Sequence, residues 1–427
     1  MGNEWNLKSL EEIAHVIMGY SPKGETYNND GEGTPLLNGP TEFGPHSPRA
    51  TLFTTDPSRI SEPGDILFCV RGSTTGRMNW SDKKYAVGRG IAAIRAKTNE
   101  EDTYFIYCCI RESMQRLLSL TSGSVFPNLS TGDINGFEIP WPEKPTRGSI
   151  VHILRTLDDK IELNRRMNRT LEKMAAALFK SWFIDFDPVR AKAEGRDPGL
   201  PVNIADLFPD SFEDSELGEI PKGWRVKPIG ETVQCVGGST PSTKNSDFWE
   251  GGKHPFVTPK DMSSLQSPVI LDSERHITDA GVEKVSSRQL PVGTVILSSR
   301  APIGYLGVTS VPVSVNQGVI AMICDDDLPN LYILHWTSTN MDLIRSRAGG
   351  TTFAEISKQN FRPIPVPTPT KPVLDAFMAN TAPLHERITL NVRQNRRLDS
   401  LRDTLLPQLL SGELEAPQTI EAATEVV

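Results

Sequence analysis

The sequence predicts an α+β chain: two tandem α/β domains separated by two long helices that form an antiparallel coiled coil with pseudo-two-fold symmetry. Three observations carry this. The chain matches itself in order at an offset that drifts only between 219 and 229, two stretches hold an apolar heptad, and each of those stretches carries a pair of asparagines in its apolar seam.

The repeat begins at Trp5-Asn-Leu-Lys-Ser-Leu, which returns as Trp224-Arg-Val-Lys-Pro-Ile at an offset of 219. Gly19 and Pro22 meet Gly238 and Pro241, and Pro35-Leu-Leu meets Pro255-Phe-Val. Farther on, Gly64 to Arg71 aligns with Gly293 to Arg300, and Val87-Gly-Arg-Gly-Ile aligns with Val315-Asn-Gln-Gly-Val. Gly123-Ser-Val-Phe and Ile139-Pro140 then match Gly350-Thr-Thr-Phe and Ile364-Pro365. Order never changes, so the indels lie in loops and the chain is a tandem duplication.

Each copy repeats one plan. Short β-branched runs bounded by Gly and Pro read as strands over 65–70 and 91–94, and again over 294–298 and 319–323. A helix follows, near 103–120 in one copy and 329–346 in the other. A proline-rich exit (Ile139-Pro-Trp-Pro, Pro363-Ile-Pro-Val-Pro) ends the globular part, because proline can neither continue a helix nor sit in a central strand.

From Ser149 to Phe183 the heptad places Ile150, Leu157, Asn164, Leu171 and Leu178 at one core position, with Leu154, Ile161, Asn168, Ala175 and Trp182 at the other. The second stretch repeats this with Phe377, Leu384, Asn391, Leu398 and Leu405, beside Leu374, Ile388, Asn395 and Leu409. A single amphipathic helix is ordinarily one side of a globular core. Two copies with paired asparagines point instead to mutual pairing, since a buried amide is satisfied only when it meets another. Leu157, Ile161, Asn164, Asn168, Leu171, Leu384, Ile388, Asn391, Asn395 and Leu398 are the expected pairing residues. At 1.5 Å per residue such a rod is roughly 50 Å long.

Composition narrows the classes. The 427 residues allow two or three domains, and 37% apolar residues suit globular cores. No apolar run reaches the length of a membrane span, and the first twenty residues, with Glu4, Glu11 and Glu12, lack the basic and apolar regions of a secretory signal. Cys69, Cys108, Cys109, Cys235 and Cys324 form an odd set without C-x-x-C spacing, which suits a reducing cytoplasm and argues against a disulfide scaffold or structural zinc. The net charge of −8 is uneven: residues 191–222 sum to −5 and 412–427 to −4, so the remainder is close to neutral. The stretch from Phe186 to Pro221 reads as an extended acidic linker.

No catalytic signature survives inspection. There is no phosphate-binding Gly-x4-Gly-Lys-Ser/Thr string, no Asn/Asp-Pro-Pro-aromatic or Pro-Cys methyltransfer loop, and the nearest nuclease-like pattern, Asp210 with Glu219 to Lys222, is broken by proline. The seven histidines show no i, i+4 pairing beside a carboxylate, so no metal site is expected. A duplicated chain without catalytic groups is a two-site reader or scaffold. Duplex DNA offers two sites at regular spacing.

The candidate reading residues lie in the loops after the aligned strands: Arg71, Ser73, Thr74, Thr75, Arg77 and Arg89 in the first copy. In the second they are Lys260, Arg300, Gln317, Arg347, Thr351, Thr352, Lys358, Gln359 and Asn360. Guanidiniums and amides reach base edges, while hydroxyls and glycines allow close approach to phosphate. Each of these taken alone is an ordinary solvated residue, and only the set points to DNA.

Leu-Asp-Asp-Lys-Ile-Glu-Leu-Asn (157–164), Leu-Phe-Lys-Ser-Trp-Phe-Ile-Asp-Phe-Asp-Pro-Val (178–189), Glu-Leu-Gly-Glu-Ile-Pro-Lys-Gly-Trp (216–224) and Leu-Leu-Pro-Gln-Leu-Leu-Ser-Gly-Glu-Leu (405–414) complete the pattern. With them the chain resembles, over nearly its whole length, the specificity subunit of type I restriction-modification systems. The resemblance implies target-recognition domains at 1–146 and 223–370, a central spacer helix at 147–186, an acidic linker at 187–222, a C-terminal spacer helix at 371–412 and an acidic tail at 413–427. It further implies that each recognition domain reads one half of a split, asymmetric double-stranded DNA site. Two methylation subunits and the restriction subunits would assemble on the chain. S-adenosylmethionine, ATP and Mg would belong to those partners, with no cofactor, no metal and no catalysis in this chain.

The outer helix faces, with Lys160, Arg165, Arg166, Arg169, Lys173, Arg387, Arg393, Arg396 and Arg397, are expected to meet methylation subunits or the phosphates between the half-sites. Two readings from other classes compete. One is an oligomeric scaffold that binds protein rather than DNA, and the other is a stand-alone methyltransferase or nuclease.

Overall fold

The computed structural model describes residues 5–44, 46–121, 127–324, 327–350 and 354–416, and the chain divides into two compact units, 1–161 with 397–427, and 162–396. Each long helix contributes one part to each unit, so the unit boundary falls inside helices rather than between domains.

In the first unit, Ala14–Met18, Ile91–Ala96, Ile66–Cys69 and Met78–Trp80 lie side by side in that order, every neighbouring pair antiparallel. The central strands are buried except at Arg95, which is why they read as nearly continuous apolar runs rather than alternating ones. A second, mixed sheet pairs Thr34–Leu37 parallel to Tyr85–Val87. Glu100–Glu112 and Met114–Leu118 form the helical layer, capped at Asn99, whose side chain accepts the Asp102 N–H at 2.8 Å.

The second unit repeats these parts: Gln234–Val236, Val319–Ile323, Val295–Ser298 and Leu306–Thr309 in one sheet, and a parallel pairing of His254–Val257 with Ser314–Val315. Antiparallel pairs dominate both copies, the signature of α+β layering. Single backbone bonds recur as well: the Val70 N–H donates to Gly90, and the Ser299 N–H to Gly318, each at 2.9 Å.

Two readings need correction. The segment Phe186–Pro221 is not an extended linker. It contains the helices Asp187–Ala193 and Val202–Ala205 and the hairpin Phe212–Ser215 with Gly218–Pro221. Its Val189, Phe208 and Ile220 join the core of the second unit with Trp182 and Trp224. Its acidic residues lie on the solvent side of those elements, so composition concealed a minority of apolar anchors. The proline-rich exit is also shifted. Lys8 pairs with Ile139 and its repeat mate Lys227 pairs with Val366, so Ile139 corresponds to Val366 rather than Ile364. Ile-Pro-Val-Pro has a period of two, and only strand pairing distinguishes the two registers.

The first long helix spans Lys144–Phe183 and the second Lys371–Ser411. The first starts earlier than the heptad because Arg147 fastens it to its unit: Nε and Nη2 bond both oxygens of buried Asp102 at 2.8 and 3.0 Å, over the Trp141 ring. The second stops at Gly412, whose φ of 72° suits glycine and ends the helix, with the Trp5 ring against it.

Ile150, Leu154, Leu157, Ile161, Asn164 and Asn168 are all buried. Leu171 packs with Ile388, Val269 and Leu271, whereas Leu384 and Leu398 are partly exposed. The Asn164 amide donates to Asn395 Oδ1 at 2.8 Å and Asn391 donates to Asn168 Oδ1 at 2.8 Å. As one helix advances by four residues its partner retreats by four, so the helices run antiparallel across these two rungs.

Candidate nucleic-acid interface

In the first unit the strand Ile66–Cys69 delivers Arg71 to the surface, held by a backbone bridge to Asn128. Gly72 and Gly76, with φ of 87° and 93°, turn the following loop back on itself. The Gly76 N–H then bonds Cys69 at 2.9 Å, and the Cys69 N–H bonds Arg77 at 2.8 Å. Thr75 turns its hydroxyl to the Gly72 carbonyl at 2.7 Å, with the Pro127 carbonyl 3.0 Å away, so it is engaged by the loop's own backbone. The Thr74 hydroxyl lies 3.6 Å from Cys69 Sγ, and Arg77 reaches the Pro40 carbonyl at 3.4 Å. Ser73 is exposed at the tip.

Arg89 sits at the crest of the turn from Val87 to Ile91. The Gly88 N–H bonds Leu37 at 2.8 Å below it, and Arg89 Nε donates to the Ser21 hydroxyl at 3.2 Å beside it. Ser21, Asn38, Arg71 and Arg89 together line an open polar recess of about 640 Å³.

The second unit builds a recess of about 500 Å³ from the corresponding places: Thr258 for Asn38, Arg300 for Arg71, and Asn316 in the same turn, with Lys260 and Tyr305. Arg300 bridges Glu355 through backbone, as Arg71 bridges Asn128, and its guanidinium also pairs with the Glu355 carboxylate at 3.5 Å. Lys260 pairs with Glu274 at 2.6 Å, which holds its ammonium above the usual lysine range. Gln317 occupies the crest, and its Oε1 accepts from Thr240 at 2.7 Å. Each unit therefore repeats one frame and changes the chemistry on it.

The remaining expected residues form a different cluster. Asn360 spends its amide on the Arg347 carbonyl at 3.1 Å, and Lys358, Gln359 and Asn360 open a short helix capped by Ser357. Thr351 and Thr352 lie outside the described residues. On the long helices, Arg169 pairs with Glu162 at 3.0 Å, Arg393 reaches the Ser310 carbonyl at 3.2 Å and Arg396 meets Asp272 at 3.5 Å. Those three basic side chains thus lean on their own unit.

Sequence reasoning missed Ser21, Asn38, Thr240, Thr258, Tyr305 and Asn316. One signal was available: Ser21 and Thr240 are hydroxyl residues directly before the aligned Pro22 and Pro241. The others meet only through strand pairing. Among the described residues no group of three or more His, Cys, Asp or Glu is placed to hold a metal ion, and no helix is long and apolar enough to cross a membrane.

A family model described as the type I restriction modification DNA specificity domain matches the chain twice, over residues 2–173 and 221–379. The chain belongs to that family. Its two matches coincide with the two copies read from the repeat, so it carries two DNA specificity domains. The type I restriction enzyme HindI specificity subunit of Haemophilus influenzae is 29% identical over 402 residues, covering 82% of this chain and 86% of that one. The MjaIX specificity subunit of Methanocaldococcus jannaschii is 38% identical over 161 residues, 37% of each chain. Among solved structures, the type I restriction-modification S subunit from M. genitalium superposes with a TM-score of 0.56 at 17% identity, covering 96% of this chain and 97% of that one. That likeness speaks for a shared fold.

Proposed function

We propose that this chain is the DNA sequence-specificity subunit of a type I restriction-modification complex, with each recognition domain reading one half of a bipartite, asymmetric site. The observation that carries the reading is the repeated recess. One frame appears twice, with Asn38 and Arg71 lining one recess and Thr258 and Arg300 the other, and with Arg89 and Gln317 at matching crests of the adjoining turn. A pair of sites built alike and lined differently suits a target whose halves differ in sequence.

The long helices, in this reading, form an antiparallel coiled coil whose asparagine rungs fix the register and so the gap between half-sites. Their outer faces recruit two methylation subunits and, through the assembled complex, the restriction subunits. The chain itself performs no chemistry and acts in the cytoplasm. S-adenosylmethionine, ATP and Mg are used by its partners.

The test is to assemble the chain with its methylation subunits, methylate genomic DNA and map the modified sites. One bipartite motif is expected, with binding to that duplex falling steeply as salt rises. The purified chain alone should transfer no labelled methyl group. Turnover by the chain alone, or methylation without a two-part motif, would overturn the reading.

A further inference from the structure

The crest of the turn before the last central strand is built the same way in both units, although it carries Arg89 in one and Gln317 in the other. Its base is pinned by two backbone bonds. The N–H of Gly88 donates to Leu37 and that of Val70 to Gly90; correspondingly, Asn316 donates to Val257 at 3.2 Å and Ser299 to Gly318 at 2.9 Å.

The segment that supplies the neighbouring hydroxyl runs so close that a side chain would not fit. A Cβ on Gly19 would lie 2.1 Å from the Gly88 carbonyl oxygen, and one on Gly238 would lie 1.6 Å from that of Val315. Two residues on, that segment places Ser21 against Arg89 and Thr240 against Gln317. Both crest residues are exposed. They are held at their root by backbone and at their polar end by one hydroxyl, an arrangement that limits side-chain freedom while leaving other donors and acceptors for a ligand.

By contrast, the two cations that line the second recess are already engaged. Lys260 has Glu274 and Arg300 has Glu355, so neither can meet a base edge without giving up a carboxylate. Gln317 is engaged only by a hydroxyl in this set, which is a weaker competitor.

We propose that Arg89 and Gln317 are the matched specificity-determining residues of the two half-sites, Arg89 reading guanine and Gln317 reading adenine. The pairing follows from donor and acceptor geometry. A guanidinium presents two donors to guanine O6 and N7, whereas a carboxamide presents one donor and one acceptor to adenine N7 and N6. Ser21 and Thr240 act as positioning residues that hold the planar ends in the orientation a base edge requires. This rests on the two-half-site reading above.

The experiment uses the chain assembled with its methylation subunits, and compares Arg89→Gln, Gln317→Arg, Arg89→Ala and Ser21→Ala by mapping methylated sites and by duplex binding. Arg89→Gln should change one position of one half-site, lowering preference for guanine there by roughly 10- to 100-fold in favour of adenine. Gln317→Arg should do the reverse at one position of the other half-site. Ser21→Ala should keep the preferred base and weaken its discrimination.

An unchanged motif in both exchanges overturns the proposal. So does Arg89→Ala weakening all sequences equally with a shallower salt dependence, the mark of a phosphate contact. The two-half-site reading fails separately, if the unaltered chain directs no bipartite motif at all.

Discussion

Arg402 pairs with Asp158 at 2.6 Å, and the repeat replaces both residues in the second unit: Ala175 stands at the position of Arg402 and His385 at that of Asp158. The correspondence follows from the asparagine rungs, which relate Asn164 to Asn391 and Asn168 to Asn395. In the first unit, Arg402 also meets Asp399, and Tyr104 donates to Asp158 at 2.6 Å, so the space is filled by a charged network. In the second, Glu172, Ala175, His335 and His385 border a small cavity of about 20 Å³, room for a single water.

The charged network should be a stability element of the first unit alone. Arg402→Ala leaves the Asp158 carboxylate partly sheltered beside Tyr104, and the expected loss is about 2 kcal/mol, discounted from a fully buried pair because Asp158 retains some solvent contact. Chemical denaturation of the full chain checks this. An unchanged midpoint would mean that solvent already carries the charge.

The cavity predicts a dependence on pH. Burial lowers the His335 pKa to about 4, assisted by nearby His385, and burial also lowers that of His385. Between about 6.5, where an unfolded histidine titrates, and the lowered folded value, the unfolded chain binds protons that the folded chain refuses. Stability is therefore complete above that window and falls as pH drops through it. Glu172, raised by burial, takes up its proton early in the folded state and opposes the loss at the acid end. Thermal melts from pH 7.5 to 5 should show a decline that His335→Leu makes shallower. An equal decline in the variant would remove His335 as a cause.

The rungs should behave as pairs. Asn391→Leu deprives the buried Asn168 carbonyl of its donor, with an expected cost of about 1–3 kcal/mol. Adding Asn168→Leu should recover part of that loss, because both amides then leave together. A double-mutant cycle in denaturant measures the coupling. Strict additivity would show that the rung does not act as a unit.

Space at the crest should be limiting. Gly238→Ala forces its segment off the Val315 carbonyl and carries Thr240 away from Gln317, at a cost of about 1–3 kcal/mol. With the methylation subunits present, discrimination should fall in one half-site and not in the other. Equal effects on both halves would contradict the assignment of one frame to each half.

The parts legible in the sequence are those encoded locally or by repetition. The buried strands announced themselves as short β-branched runs, the helices as heptads, and Arg89 with Gln317 as one position in a string that recurs. What was hidden depends on contacts between residues far apart in the chain. Asn38 and Arg71 line one recess because Thr34–Leu37 pairs parallel to Tyr85–Val87 and Ile66–Cys69 pairs with Ile91–Ala96, partnerships with no local signature. The acidic stretch before Trp224 looked unstructured because its anchors, Val189, Phe208 and Ile220, are few and widely spaced. The exit register was ambiguous by its own periodicity, and the pairing of Lys227 with Val366 resolves it.

The most direct test of two frames reading two halves is to replace residues 223–370 with the equivalent segment of another member of the family, assemble the chimera with methylation subunits and map the methylated motif. One half of the motif should change while the other half and the gap between them stay as they were. A chimera that changes both halves, or neither, would contradict the account.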